Sequence, residues 1–272
     1  MTNFKSSCAS RIFGCFASHK FPNIIQNIIN KSYVKLMKVN LSECPDISSY
    51  KSLNELFTRE LKTKRDIDAD EHEFISPCDA FISECGNIQE QKALMIKGHS
   101  YRVRNLLGDY ILKQEKDRLI DGDYINFYLS PKDYHRYHVP MDMQIKKAVH
   151  IPGKLYPVNF TWLKKIPELF VENERVVLEC YTKDDKLFYM VFVGALNVGK
   201  MQFVFDETIQ TNAKSSTQKP YMYKDLWLKK GDELGRFEMG STIVMFFEKD
   251  MVELTCRKDE PIKFSEKICK VI

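Results

Sequence analysis

The chain has 272 residues, 44% of them hydrophobic, with a net charge of +4 and a pI of about 8.5. That length holds one large domain or two small ones, and the apolar content supports a true core. The charge is too mild to argue for nucleic acid, no nucleic-acid motif accompanies it, and no apolar run approaches the ~18 residues of a membrane span.

Residues 1–42 contain no Asp or Glu but carry Lys5, Arg11, Lys20, Lys31, Lys35 and Lys38. Ile24, Ile25, Ile28 and Ile29 recur at helical spacing, and Phe4, Phe13, Phe16 and Phe21 add bulk. Such a basic amphipathic segment suits an anionic membrane surface, or else it packs on a core with a solvated basic face. The N-terminus lacks a continuous apolar stretch, which predicts no secretory signal. An organelle transit peptide would be richer in Arg, whereas Arg11 is the only Arg before Arg59. A second helix is predicted near 50–62, with Leu53, Leu56, Phe57 and Leu61 on one face and Ser52 with Glu55 as a capping box.

From about residue 74 short β-rich runs alternate with Gly, Pro, Asn and Asp: 124–129, 176–181, 187–193, 201–205 and 242–247. Residues 207–224 are polar and read as a mobile loop. The expected class is therefore α+β, a helical N-terminal segment on a mainly antiparallel β core. The division is a basic, helical, membrane-associating region over 1–65 and a β-rich core over 66–272. Eight cysteines (Cys8, Cys15, Cys44, Cys78, Cys85, Cys180, Cys256 and Cys269) make no C-x-x-C pair, which predicts free thiols in a reducing compartment.

Three polar clusters stand out. Ser76-Pro77-Cys78-Asp79 places a carboxylate at a strand start, where it can simply bond local N–H groups in a turn. The segment from Tyr128 to Pro140 holds His135 and His138 between two prolines. Residues three apart in an extended chain face opposite sides, so two separate acid–base or structural roles fit better than one shared metal. Met239-Gly240-Ser241-Thr242 leads into the run 242–247. It reads as a turn, or as a serine hydroxyl set against an unhindered glycine carbonyl, which would need a nearby base.

Taken in order, these segments resemble the phosphatidylserine decarboxylases. The resemblance runs through Phe57-Thr58-Arg59-Glu60-Leu61, Ser76-Pro77-Cys78-Asp79, Ile96-Lys97-Gly98-His99-Ser100-Tyr101 and the two-histidine segment. It continues in 152–159, Asn173-Glu174-Arg175-Val176, Val193-Gly194-Ala195 with Val198-Gly199, and Lys230–Gly235 leading to Gly240-Ser241-Thr242. Met239 stands where the family usually has Leu, Ala80 where it has Gly after the Asp, and Arg65-Asp66-Ile67 lacks its usual Pro.

The resemblance implies a proenzyme that cuts itself between Gly240 and Ser241, giving a β chain of 1–240 and an α chain of 241–272. It implies that His138, oriented by Asp79, deprotonates Ser241, and that Ser241 becomes a covalent pyruvoyl cofactor, with no metal. His135 is the implied helper in decarboxylation, as proton donor or orienting group. The implied partners are phosphatidylserine, an anionic membrane surface on the cytoplasmic face of the cell membrane, the two chains of one precursor and a second copy in a homodimer, with no nucleic acid. The competing readings are a pyruvoyl decarboxylase of a soluble amino acid and a non-catalytic membrane-binding protein on the same scaffold. Phe160–Lys165, aromatic beside basic, is a second interfacial edge or a plain surface turn.

Overall fold

The structure, a computed structural model, describes residues 13–89, 92–96, 99–158, 160–196, 200–211, 217–238 and 241–272. The readings above that fall on 1–12, 97–98, 159, 198–199 and 239–240 therefore lie outside the described residues.

The N-terminal part is helical. Residues 13–18 form one turn-and-a-half, Asn23–Met37 a longer helix, Ile47–Ser49 a 3-10 turn and Leu53–Phe57 a short helix. The inward face of the longer helix mixes polar and apolar residues, with Gln26 and Asn30 beside Ile29, Tyr33 and Val34. Gln26 and Asn30 are buried and bonded to each other at 2.8 Å, and Asn30 Nδ2 donates to the Tyr50 carbonyl at 3.0 Å. Ile24, Ile28 and Leu36 are 78%, 61% and 75% exposed. The helix expected over 50–62 is confined to Leu53–Phe57. Ser52 Oγ accepts from the Glu55 N–H and starts it, and the Thr58 hydroxyl and N–H both close on the Asn54 carbonyl and end it. Glu55 reaches back to the Lys51 N–H rather than to Ser52 itself.

The rest is built on antiparallel strands, as patterning predicts. In chain order they are β1 Glu73–Ile75, β2 Ala80–Asn87, β3 Lys92–Ile96, β4 His99–Arg102, β5 Asp123–Leu129, β6 Arg136–His138, β7 Met143–Ile151 and β8 Arg175–Tyr181. They continue with β9 Leu187–Val193, β10 Met201–Phe203, β11 Lys219–Leu228, β12 Glu233–Phe237, β13 Ser241–Phe247, β14 Val252–Leu254, β15 Glu260–Ile262 and β16 Lys267–Val271. Eight form one sheet in the order β11-β7-β8-β9-β13-β5-β2-β15, and smaller sheets have the orders β1-β16-β14, β10-β12-β6 and β3-β4. Every one of these pairings is antiparallel.

β11 takes the last six residues, 219–224, of the segment 207–224 expected to be a loop, of which 212–216 lie outside the described residues. It is an edge strand that carries Pro220 and fully buries none of its side chains, so it lacks the apolar patterning that marks a core strand. β13 is the opposite case. It lies between β9 and β5, and Ile243, Val244, Met245, Phe246 and Phe247 are all fully buried. At about 2 kcal/mol per large apolar side chain, these five contribute roughly 10 kcal/mol. The seven described cysteines are free thiols. Among the described residues, no helix is long and apolar enough to cross a membrane.

Candidate active site

Backbone hydrogen bonds bring the first two polar clusters together and tie the two-histidine segment to the head of β13. The His138 N–H donates to the Pro77 carbonyl at 2.7 Å, and the Val139 N–H to the Asp232 carbonyl at 2.9 Å. β6 therefore runs between the Ser76–Asp79 segment and β12, with His138 opposite Glu233. The loop from Leu129 to His135 then reaches the start of β13. Leu129 pairs with Ser241, and the Phe237 N–H donates to the His135 carbonyl at 3.0 Å. The backbone of Ser241 heads β13, while its side chain and all of Gly240 lie outside the described residues.

Both histidines are neutral, and both have the same tautomer. His138 Nδ1 lies 3.1 Å from the Gly231 carbonyl and His135 Nδ1 lies 2.8 Å from the Asp133 carbonyl. A carbonyl only accepts, so each Nδ1 carries the proton and each Nε2 is left with its lone pair. Gly231 can aim its carbonyl this way because its φ is +85°, a conformation that a side chain would strain. His138 Nε2 accepts a hydrogen bond from the Tyr134 hydroxyl at 3.1 Å. His135 Nε2 is buried and has no hydrogen-bond partner.

Burial is the first cause of their neutrality. It lowers His138 to about 4, helped by Arg136 and Arg65 and opposed by the Gly231 carbonyl and the Asp79 charge. It lowers His135 to about 3, helped by Arg59. Phe264 stacks on His138 with ring centroids 3.7 Å apart, and Phe57 lies 3.9 Å from the His135 ring. His138 still borders a cleft of about 330 Å³, shared with Tyr134, Arg136, Glu233, Arg65 and Phe264. His135 is completely buried.

Asp79 does not hydrogen-bond His138. Its carboxylate is clamped by Arg65, with Nη1 at 2.5 Å from Oδ1 and Nη2 at 3.0 Å from Oδ2, and Oδ1 also accepts the Phe264 N–H at 2.8 Å. Neither is a local turn bond, since Phe264 is 185 residues away. Arg65 also holds Glu43 through Nε and Nη2 at 2.9 and 3.0 Å. Burial pulls the Arg65 guanidinium down, but its bonds to Asp79 and Glu43 outweigh that and hold it firmly charged. Asp79 thus acts on His138 only as a nearby negative charge that raises its proton affinity.

Sequence reasoning missed Arg65, Tyr134, Phe264 and the Gly231 carbonyl. Arg65 and Gly231 stand inside the resembling segments, but nothing in their spacing ties them to Asp79 or His138. Other resembling segments prove to be scaffold. Asn173 holds the Tyr156 N–H and carbonyl and the Gly194 carbonyl, and Arg175 donates to the carbonyls of residues 105, 106, 171 and 173.

Two neutral imidazoles beside a clamped carboxylate and a serine-headed core strand are the makings of an acid–base enzyme. The sequence profile described as phosphatidylserine decarboxylase matches residues 53–270. A protein named phosphatidylserine decarboxylase proenzyme from Campylobacter jejuni is 50% identical over 265 residues, 96% of this chain and 97% of that one. Proteins of the same name from Helicobacter pylori and Coxiella burnetii are 47% identical over 268 residues and 33% over 264. They cover 97% and 95% of this chain and 96% and 92% of their own lengths. The chain belongs to the phosphatidylserine decarboxylase family.

Proposed function

We propose that this protein is a self-processing decarboxylase that converts phosphatidylserine to phosphatidylethanolamine and CO2, using a pyruvoyl group formed from Ser241. Family membership supports the reaction, and the loop Leu129–His135 is the observation that carries the site. It begins opposite Ser241 and ends hydrogen-bonded to Phe237, so the His135 backbone borders the segment to be cut, with His138 three residues further along the chain.

In the proposed cut the Ser241 hydroxyl adds to the Gly240 carbonyl, and its proton passes to His138 Nε2 once that nitrogen has released the Tyr134 hydroxyl. The nearby Asp79 charge steadies the imidazolium that results. The peptide bond is exchanged for an ester, which eliminates to release residues 1–240 with a free carboxylate. Water then replaces the exposed nitrogen as ammonia, leaving 241–272 with a pyruvoyl end.

The residues present fit that group. Ser241 has its three-carbon skeleton, and the buried Thr242 Oγ1, next in the chain, and His135 Nε2 have no hydrogen-bond partner. Its amide link to Thr242 would hold it at the head of β13. Once formed, a pyruvoyl group supplies an electron sink for the pair left behind by CO2. His135 Nε2, dry and unprotonated, is the atom assigned to take up and return a proton in that step; in this state it accepts rather than donates.

The second part of the reading is peripheral attachment to an anionic membrane on its cytoplasmic face. The exposed Ile24, Ile25, Ile28 and Leu36 would enter the interface, with Lys31, Lys35 and Lys38 at the headgroups. Trp162, 38% exposed with Lys165 6.0 Å from its ring, offers a second contact.

Denaturing mass spectrometry of the purified full chain tests the cut. Wild type is expected as 1–240 and 241–272, and Ser241→Ala as one intact chain that releases no CO2 from phosphatidylserine. A wild type that stays at full mass, or that turns over only free amino acids, would sink the proposal.

A further inference from the structure

Arg59 leaves the short helix Leu53–Phe57 and is 4% exposed. Its Nη2 donates to the carbonyls of Lys132 and Asp133 at 2.9 and 3.0 Å. Its Nε and Nη1 are buried and have no partner. A guanidinium cannot shed its charge by titrating, so a buried one with two unused donor nitrogens is costly unless something binds there.

Arg59 lines a cavity of about 270 Å³. The carboxylates around that cavity are already engaged. Asp79 and Glu43 are held by Arg65, with Lys263 3.3 Å from Glu43, and Asp133 accepts from the Ser130 N–H and hydroxyl, both at 2.7 Å. Burial also raises the Asp133 carboxyl toward its neutral form. Lys38 and Lys132 line the same cavity, and among the described residues neither makes an ion pair with a carboxylate. Three cations therefore face one small volume without a committed counter-ion.

We propose that Arg59, Lys38 and Lys132 form a binding site for a phosphate oxyanion, and that its natural occupant is the phosphodiester of a lipid headgroup. The identity of the lipid rests on the function proposed above; the phosphate site does not. Position argues for a lipid over free phosphate. Lys38 is the residue that ends the helix Asn23–Met37, two residues past the exposed Leu36 of its apolar face. A lipid lying on that face would bring its phosphate toward Lys38, which lines the cavity. Arg59 also lowers the proton affinity of His135, so an anion on Arg59 would bear directly on the histidine beside β13.

The test uses the full-length protein with inorganic phosphate as the probe, chloride at matched ionic strength as control, and phosphatidylserine in neutral detergent micelles as substrate. Phosphate is expected to raise the Tm of wild type saturably. Lys38→Gln/Lys132→Gln should weaken that response by about tenfold or more, the usual loss for a charge-assisted contact. The same double variant should raise KM for phosphatidylserine more than it lowers kcat. Competition between phosphate and the lipid identifies the headgroup as occupant, while saturable binding without competition assigns the site to free phosphate and overturns the lipid half of the proposal. No saturable effect beyond the chloride control, with KM unchanged in the double variant, overturns the site. Arg59→Lys is a further variant, but the two lysines decide the matter even where loss of the Arg59 carbonyl contacts prevents folding. A wild type that binds phosphate yet releases no CO2 from the lipid would refute the proposed function while leaving the phosphate site standing.

Discussion

If the chain is cut between 240 and 241, the 32-residue piece should not leave. Residues 241–272 supply β13, β14, β15 and β16. β13 is hydrogen-bonded on one side to β9 and on the other to β5, and β16 runs between β14 and β1. The five fully buried side chains of β13 contribute roughly 10 kcal/mol, which alone corresponds to a sub-micromolar Kd. Ile268 and Cys269, also fully buried, add to this. The expected result is that the two pieces elute together on size exclusion and separate only where the whole molecule unfolds in urea. Phe246→Ala removes a ring from the middle of this strand and should cost about 3–5 kcal/mol, moving the urea midpoint down by about 1 M or more. Both pieces should still part in one transition at that lower midpoint. The reasoning fails if 241–272 comes away from 1–240 in buffer without urea, or if Phe246→Ala shifts release of the piece but not global unfolding.

Two further outcomes follow from the charges around the site. The two histidines bind protons less readily folded than unfolded, so the unfolded chain protonates first as pH falls below the ordinary 6.5. Their contribution to stability is therefore complete above pH 6.5 and lost as pH falls toward 4 and then 3, about 2–3 kcal/mol for each at pH 4.5. Urea melts of the uncut Ser241→Ala chain at pH 7 and 4.5 should show a smaller loss when His138→Gln is added; an equal loss would refute the neutral assignment. Arg65→Met should destabilise by about 3–5 kcal/mol, because it leaves Asp79 with only the Phe264 N–H. Adding Asp79→Asn should recover part of that in the same melts, and no recovery would show that the pair is not coupled.

What the sequence made legible was whatever has a local period. The apolar runs of β9 and β13 announce core strands because both faces are buried, and the isoleucines of residues 24–29 announce a helix. Periodicity does not say which face packs. The inward face of that helix is held by Gln26 and Asn30, whose hydrogen bonds depend on Tyr50 and could not be read from the helix itself. The site was legible in its residue types and not in its pairings. Asp79 and His138 stand two residues past and directly across from Pro77, yet the carboxylate goes to Arg65 and Phe264 and the imidazole to Gly231 and Tyr134. Apart from Tyr134, four residues before His138, these contacts span 14 to 185 residues and leave no trace in spacing.

The two histidines show why this matters for chemistry. Hydrogen bonding to Nδ1 makes neither imidazole a dry base, since each meets a carbonyl acceptor, Asp133 for His135 and Gly231 for His138, that favours the charged form. Burial overrides those acceptors, and each ring is packed against an aromatic from a distant part of the chain. Phe57 covers His135 from the N-terminal helices, and Phe264 covers His138 from the segment after β15. The bases thus exist only once both ends of the chain have folded onto the core. On the proposed mechanism, the base for the cut is covered by Phe264, which comes from the 241–272 piece that the cut would create. The same arrangement links the N-terminal helices to the site, because the short helix that carries Phe57 runs directly into Arg59 and its cavity.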